Sequence, residues 1–131
     1  MKVDGGCHCG RIRYEAVVDP AAVSICHCTD CQTLSGSAYR TVVPAPAATF
    51  KLLAGQPKVY VKTADSGNKR LQTFCGECGT AIYSAAPVDT PAYFLRVGSI
   101  RQRAELPPKK QGWCRSALGW TADLQDLPKT Q

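Results

Sequence analysis

Phe74-Cys75-Gly76-Glu77-Cys78-Gly79 is the stretch on which the reading of the whole chain turns. Two cysteines separated by two residues, each followed by glycine, describe a tight knuckle whose glycines permit the turn and whose sulfurs converge. Such a knuckle is half of a tetrahedral zinc site, so two further sulfurs must come from elsewhere. In Gly5-Gly6-Cys7-His8-Cys9-Gly10 the cysteines lie two apart, and in an extended segment both side chains then point the same way. In Cys26-His27-Cys28-Thr29-Asp30-Cys31 three cysteines fall within six residues. Spacing alone leaves open whether the knuckle closes with Cys7 and Cys9 or with Cys26 and Cys28. Ferredoxin spacings differ from these, and a redox C-x-x-C needs a βαβ context that the chain lacks. Zinc is the metal that the pattern fits.

The composition agrees. At 131 residues, with 44% apolar and 20% charged side chains, the chain reads as one globular domain spanning 1–131. A core of this size is modest, and eight cysteines supply the reinforcement small domains need. No apolar run approaches the roughly 18 residues of a membrane span. No hydrophobic leader precedes the first cysteine, so the expected compartment is the cytoplasm, where clustered thiols stay reduced and bind metal. The formal charge of +6 falls to about +3 once a four-thiolate and a three-thiolate zinc site are filled. That is a weak basis for a nucleic-acid partner. The basic stretch Arg101, Arg103, Lys109, Lys110 and Arg115 is interrupted by Glu105, Pro107 and Pro108 and reads as a solvated loop edge.

Between the cysteines the pattern is that of short strands. Ile12, Tyr14, Ala16 and Val18 alternate with Arg11, Arg13 and Glu15, which predicts a half-buried strand ended by Asp19-Pro20. Further strands are expected at 38–43, 49–53, 59–62, 70–74, 81–84 and 93–97, each bounded by turn residues. One short helix is expected at 29–34. The fold class is all-β, built of small antiparallel sheets. Trp113, Trp120, Tyr60, Tyr83, Tyr93 and Phe94 are expected in the core and between the sheets.

Taken together, these motifs resemble the family of glutathione-dependent formaldehyde-activating enzymes, which includes centromere protein V. The resemblance rests on the two N-terminal clusters with Ile12-Arg13-Tyr14, on Gln32 and Ser35-Gly36-Ser37, and on the knuckle with Thr80. It extends to Trp120 and Asp126-Leu127-Pro128 and so covers almost the whole chain. It implies small antiparallel sheets stitched by zinc, a β-tent, with two ions. Cys7, Cys9, Cys75 and Cys78 would form the structural site, and Cys26, Cys28 and Cys31 the second, functional one. It also implies the joining of glutathione and formaldehyde into S-hydroxymethylglutathione, a carbon–sulfur lyase reaction in reverse. Many relatives carry an acid where this chain has Arg101 in Gly98-Ser99-Ile100-Arg101.

Three thiolates around one ion leave a fourth position open, which is what separates catalytic from structural zinc. Such an electron-rich ion is a poor source of hydroxide but suits an incoming thiol, whose pKa it lowers. The thiolate then adds to an aldehyde, and the oxyanion needs a donor, for which Gln32, Ser35 and backbone amides are candidates. His27 is a candidate proton shuttle, although the middle residue of C-x-C points away from the metal its neighbours bind, and the same holds for His8. Arg11 and Arg13 could hold a glutathione carboxylate or simply be strand charges. Cys114 as a fourth ligand would close the second site; beside Trp113 and Arg115 it is read as a buried, apolar-like thiol. The competing function is a zinc-stabilised module that binds a protein or other macromolecule and does no chemistry.

Overall fold

Ile12, Tyr14, Ala16 and Val18 are each no more than 2% exposed, so the alternation in this segment marks a strand with one face in the core. The computed structural model describes residues 1–131. Strand β2 (Arg13–Val17) lies between β1 (Lys2–Gly6) and β5 (Lys51–Ala54) in an antiparallel three-stranded sheet. The other strands are β3 (Ser24–Cys26), β4 (Arg40–Pro46), β6 (Lys58–Thr63), β7 (Lys69–Phe74), β8 (Ala81–Ala85), β9 (Ala92–Arg96) and β10 (Lys110–Gly112). They form a second sheet in the order β10-β3-β4-β9-β8-β7-β6, antiparallel throughout except for β10 beside β3. The α-helix, α1 (Thr29–Ser35), falls where the sequence places it, and the remaining helical pieces are 3-10 turns. The fold is all-β, as expected. No helix is long and apolar enough to cross a membrane.

The two sheets share one core. Val3, Tyr14 and Ala16 from the small sheet meet Val43, Ala45, Ile82 and Leu95 from the large one. Phe50 stands between them, with its ring centroid 5.4 Å from Tyr14, 5.3 Å from Tyr83 and 4.7 Å from Tyr93. Tyr83 and Tyr93 thus pack as expected, whereas Trp113, Trp120 and Tyr60 do not. They are 57%, 56% and 54% exposed. Tyr60 lies on β6, the sheet's edge, and both tryptophans lie among the irregular turns of the C-terminal segment, where no second layer covers them.

Three strands have no clear sequence signal. The glycine pair of β1 is required by close approach: a Cβ on Gly5 would strike the Ser99 carbonyl and the Tyr14 phenol, and one on Gly6 the Ile12 carbonyl. β3 and β10 are three residues each, too short to show an alternation, and they become strands by pairing with each other and, for β3, with β4. β1 is also clipped to the loop after β9. The Asp4 carboxylate accepts from Arg101 at 2.7 and 2.9 Å and from the Gln102 amide at 2.6 Å, while the Arg101 backbone N–H donates to the Asp4 carbonyl. The base at position 101 therefore finds its acid across the fold.

Arg101 and Gln102 draw the Asp4 carboxyl down to about 2. A carboxyl lowered on folding stabilises above its unfolded pKa of about 4, and that contribution disappears as pH falls to the folded value. Melting curves of the parent and Asp4→Asn should differ at neutral pH and converge between pH about 4 and about 2. A constant gap over that range would show that the carboxylate charge plays no part.

Candidate metal centres

Two turns of matching construction bring the first four sulfurs together. Gly10 N–H donates to the Cys7 carbonyl and Gly79 N–H to that of Cys75, and both glycines take the left-handed conformation, with φ of 83° and 81°. Cys7 N–H is bound by the Ile12 carbonyl and Cys75 N–H by that of Thr80, so each turn closes a hairpin between neighbouring strands. The His8 backbone N–H donates to Thr80 Oγ1 at 3.0 Å and ties one turn to the other.

The knuckle's sulfurs gather with those of Cys7 and Cys9, not with Cys26 and Cys28. All four lie within 4.8 Å of one another. Cys7 and Cys9 Sγ are 3.6 Å apart, and Cys9 and Cys75 Sγ are 3.8 Å apart. A tetrahedron with zinc–sulfur bonds of about 2.3 Å has edges of about 3.8 Å, so the spacing fits an ion at the centre. Cys7 Sγ also accepts from Ile12 N–H at 3.2 Å and Cys75 Sγ from Glu77 N–H at 3.4 Å. The Thr80 hydroxyl and the backbone N–H groups of Thr80 and Cys9 draw the Cys78 thiol down to about 5.

The second cluster sits where β3 runs into α1. Cys26 is the last residue of β3, Cys28 caps the helix by accepting Cys31 N–H on its sulfur at 3.2 Å, and Cys31 lies in the first turn. A serine or threonine does this job in ordinary helices. Gly36, with φ of 65°, ends α1 by returning its N–H to Gln32. The three sulfurs lie within 4.8 Å of one another. Cys114 is not among them, and it is exposed rather than buried because it opens a 3-10 turn in the uncovered C-terminal segment.

Other candidates are placed differently. His27 is buried, its Nε2 2.7 Å from Gln111 Oε1 and its ring edge-on to Tyr39. It borders a cavity of about 710 Å³ with Lys109 and Cys114, separate from the sulfurs of its neighbours. The Gln32 amide nitrogen donates to the carbonyls of His27 at 2.8 Å and Ser116 at 3.0 Å, pinning α1 to the C-terminal segment. His8, Arg11 and Arg13 are exposed. Ser35 lines a cleft beside α1.

Strand register assembles a wall that the sequence reading did not foresee. Cys26 pairs with Arg40, Val42 with Arg96, Phe94 with Ser84, Ser84 with Gln72, and Arg70 with Lys62. Directly paired residues share a face, as do residues two apart on a strand, so all of these lie on one face of the large sheet. They line a cavity of about 250 Å³ that also receives Cys28 and Cys31. Clefts of about 380 and 440 Å³ share Leu34 and Arg40 with it and reach Gly79 in the knuckle loop. The alternation Arg40-x-Val42, Arg70-x-Gln72 and Phe94-x-Arg96 is visible in the sequence, but which strands adjoin is not.

Comparison with known proteins matches residues 2–116 to a family described as "Glutathione-dependent formaldehyde-activating enzyme". A Schizosaccharomyces pombe protein described as an uncharacterized lyase is 28% identical over 92 residues, which is 70% of this chain and 64% of that protein. The chain thus spans less than two thirds of that relative. A crystal structure of a Rhodobacter sphaeroides protein matches with a TM-score of 0.64 at 17% identity, covering 82% of this chain and 98% of the other. That likeness is one of fold.

Proposed function

This chain belongs to the glutathione-dependent formaldehyde-activating enzyme family, and on that premise we propose that it is a zinc-dependent carbon–sulfur lyase acting on the adduct of a small thiol with formaldehyde, S-hydroxymethylglutathione being the reference substrate. The observation that carries this reading is the three-sulfur cluster opening onto a cavity. In this reading Cys7, Cys9, Cys75 and Cys78 hold a structural ion, and Cys26, Cys28 and Cys31 hold a second with room for a guest. Bound there, zinc supplies the Lewis acidity that turns an incoming thiol into thiolate at neutral pH.

The chain's own residues do the rest. In the synthetic direction the thiolate sulfur forms a bond to the formaldehyde carbon, the carbon–oxygen π bond opens, and the oxygen takes up the proton the thiol gave up. The reverse step breaks the same carbon–sulfur bond. Positive side chains along the cavity wall favour the oxyanion that forms as the π bond opens. Phe94, Val42 and Trp113 border the same cavity and limit bulk water. Gln32, with its amide committed to two carbonyls, acts by positioning α1 and hence Cys28 and Cys31. His27, bonded to Gln111 beside the other cavity, acts by holding the junction of β3 and α1 in place. Eight unpaired cysteines accord with a cytoplasmic setting.

The test is the rate of S-hydroxymethylglutathione formation by zinc-loaded protein, followed by proton NMR against the uncatalysed reaction. An excess of at least about tenfold over background, worth about 1.4 kcal/mol of barrier, is expected. Protein holding two ions per chain with no excess rate would leave the non-catalytic binding module as the better account.

A further inference from the structure

A second cavity lies on the opposite face of the large sheet from the three-cysteine cluster. Cys26 and Ile25 are neighbours on β3 and so face opposite ways, and Gln111 pairs with Ile25. Ile25, Gln111 and Tyr39 border a space of about 710 Å³, within the range that small-molecule sites occupy. Its charge is one-sided. Lys109 and Lys110 both line it, and no carboxylate does. The chain's two ion pairs, Lys62 with Asp30 and Arg101 with Asp4, leave both lysines without a counter-charge. His27 borders the same space and is 3% exposed. Gln111 Oε1 can only accept, so His27 Nε2 donates in the 2.7 Å bond between them and Nδ1 presents a lone pair. That Nδ1 atom is buried with no partner. A buried acceptor left unpaired is costly, and it marks a place that an incoming donor completes.

These features specify a ligand with two parts. Two ammonium groups call for two negative charges, and a phosphate monoester carries about −1.5 to −2 at neutral pH. Lysine binds phosphate as a compact point charge, whereas carboxylates are matched by the planar fork of arginine, which this cavity lacks. The lone pair of His27 calls for a donor, and a hydroxyl on the same ligand supplies it. Tyr39, Ile25 and Pro108 give the carbon skeleton apolar surface. We propose that this cavity binds a small phosphate monoester with a hydroxylated skeleton, its phosphate held by Lys109 and Lys110 and a hydroxyl donating to His27 Nδ1. The site uses the sulfurs of neither cysteine cluster, so it holds or fails independently of the lyase reaction.

Calorimetry on the zinc-loaded protein tests it with ribose 5-phosphate against inorganic phosphate, ribose and malate, the last a hydroxylated dianion without phosphorus. Ribose 5-phosphate should bind at least about tenfold more tightly than each of the three, as expected when charge-assisted and hydroxyl contacts act together. Lys109→Gln and, separately, Lys110→Gln lie at exposed positions and should leave the melting temperature unchanged. Each should weaken ribose 5-phosphate binding at least about fivefold. Cys114 lines the cavity with an exposed thiol and reports its occupancy. Alkylation of Cys114 by iodoacetamide, followed by peptide mass mapping, should slow at least about threefold under saturating ribose 5-phosphate, because reactivity follows access. Absence of binding, or equal binding of any comparison compound, overturns the proposal. So does binding that both lysine variants leave unmoved, or that leaves Cys114 as reactive as before.

Discussion

Cys75→Ser is expected to yield a chain that no longer melts cooperatively near the parent's temperature. Cys75 is 2% exposed at the end of β7, and its sulfur is one of four that join the β1–β2 turn to the β7–β8 turn. The centre therefore ties the small sheet to the large one at a point where the polypeptide provides only short loops. A structural zinc of this kind is worth about 10–16 kcal/mol, whereas a domain has a net stability of only about 5–15 kcal/mol. Serine is a far weaker ligand than thiolate, and it also leaves a hydroxyl in a buried position. Circular dichroism melts with metal analysis check this. The variant should lose the structural ion and the cooperative transition together, and a strong chelator should reproduce that loss in the parent. A Cys75→Ser protein melting within about 5 °C of the parent would mean that the four sulfurs are not a structural metal site.

Much of this arrangement is legible in the sequence, and the reasons differ from element to element. The strand through Ile12, Tyr14, Ala16 and Val18 is legible because a half-buried strand must alternate. The helix at 29–35 is legible from its compact cluster, and the knuckle from its glycines. The grouping of Cys75 with Cys7 rather than Cys26 is a tertiary fact: it follows from β1 and β2 folding over the end of the large sheet, which no spacing encodes. Arg40, Arg70 and Arg96 escape for the same reason. Each looks like an ordinary strand charge until register sets β4 beside β9 and β7 beside β8. Cys114 and the two tryptophans mislead in the other direction, because residue type suggests burial but the C-terminal segment has no layer above it.

Cys31→Ala should separate chemistry from folding. Cys31 is half-buried in a seven-residue helix at the edge of the molecule and takes no part in the shared core. The helix keeps its cap, because Cys28 Sγ accepts the backbone N–H at position 31, and this N–H survives the substitution. Alanine is moreover the best helix former. The expected cost to stability is under about 1.5 kcal/mol, near the centre of the range for point mutants. Burial and the neighbouring thiols push the Cys31 thiol up to about 12, so without an ion it is a neutral thiol at neutral pH, and alanine there removes no charge. With two sulfurs left, the second ion should be lost, and metal content should fall from two ions per chain to one. Turnover of the thiol–formaldehyde adduct should drop to the uncatalysed rate while the melting temperature shifts by no more than about 6 °C. Full activity with one ion per chain would place the chemistry elsewhere. Loss of both ions would show that the two sulfur clusters, joined by the cleft through Leu34 and Arg40 to Gly79, are one cooperative unit and not separate centres.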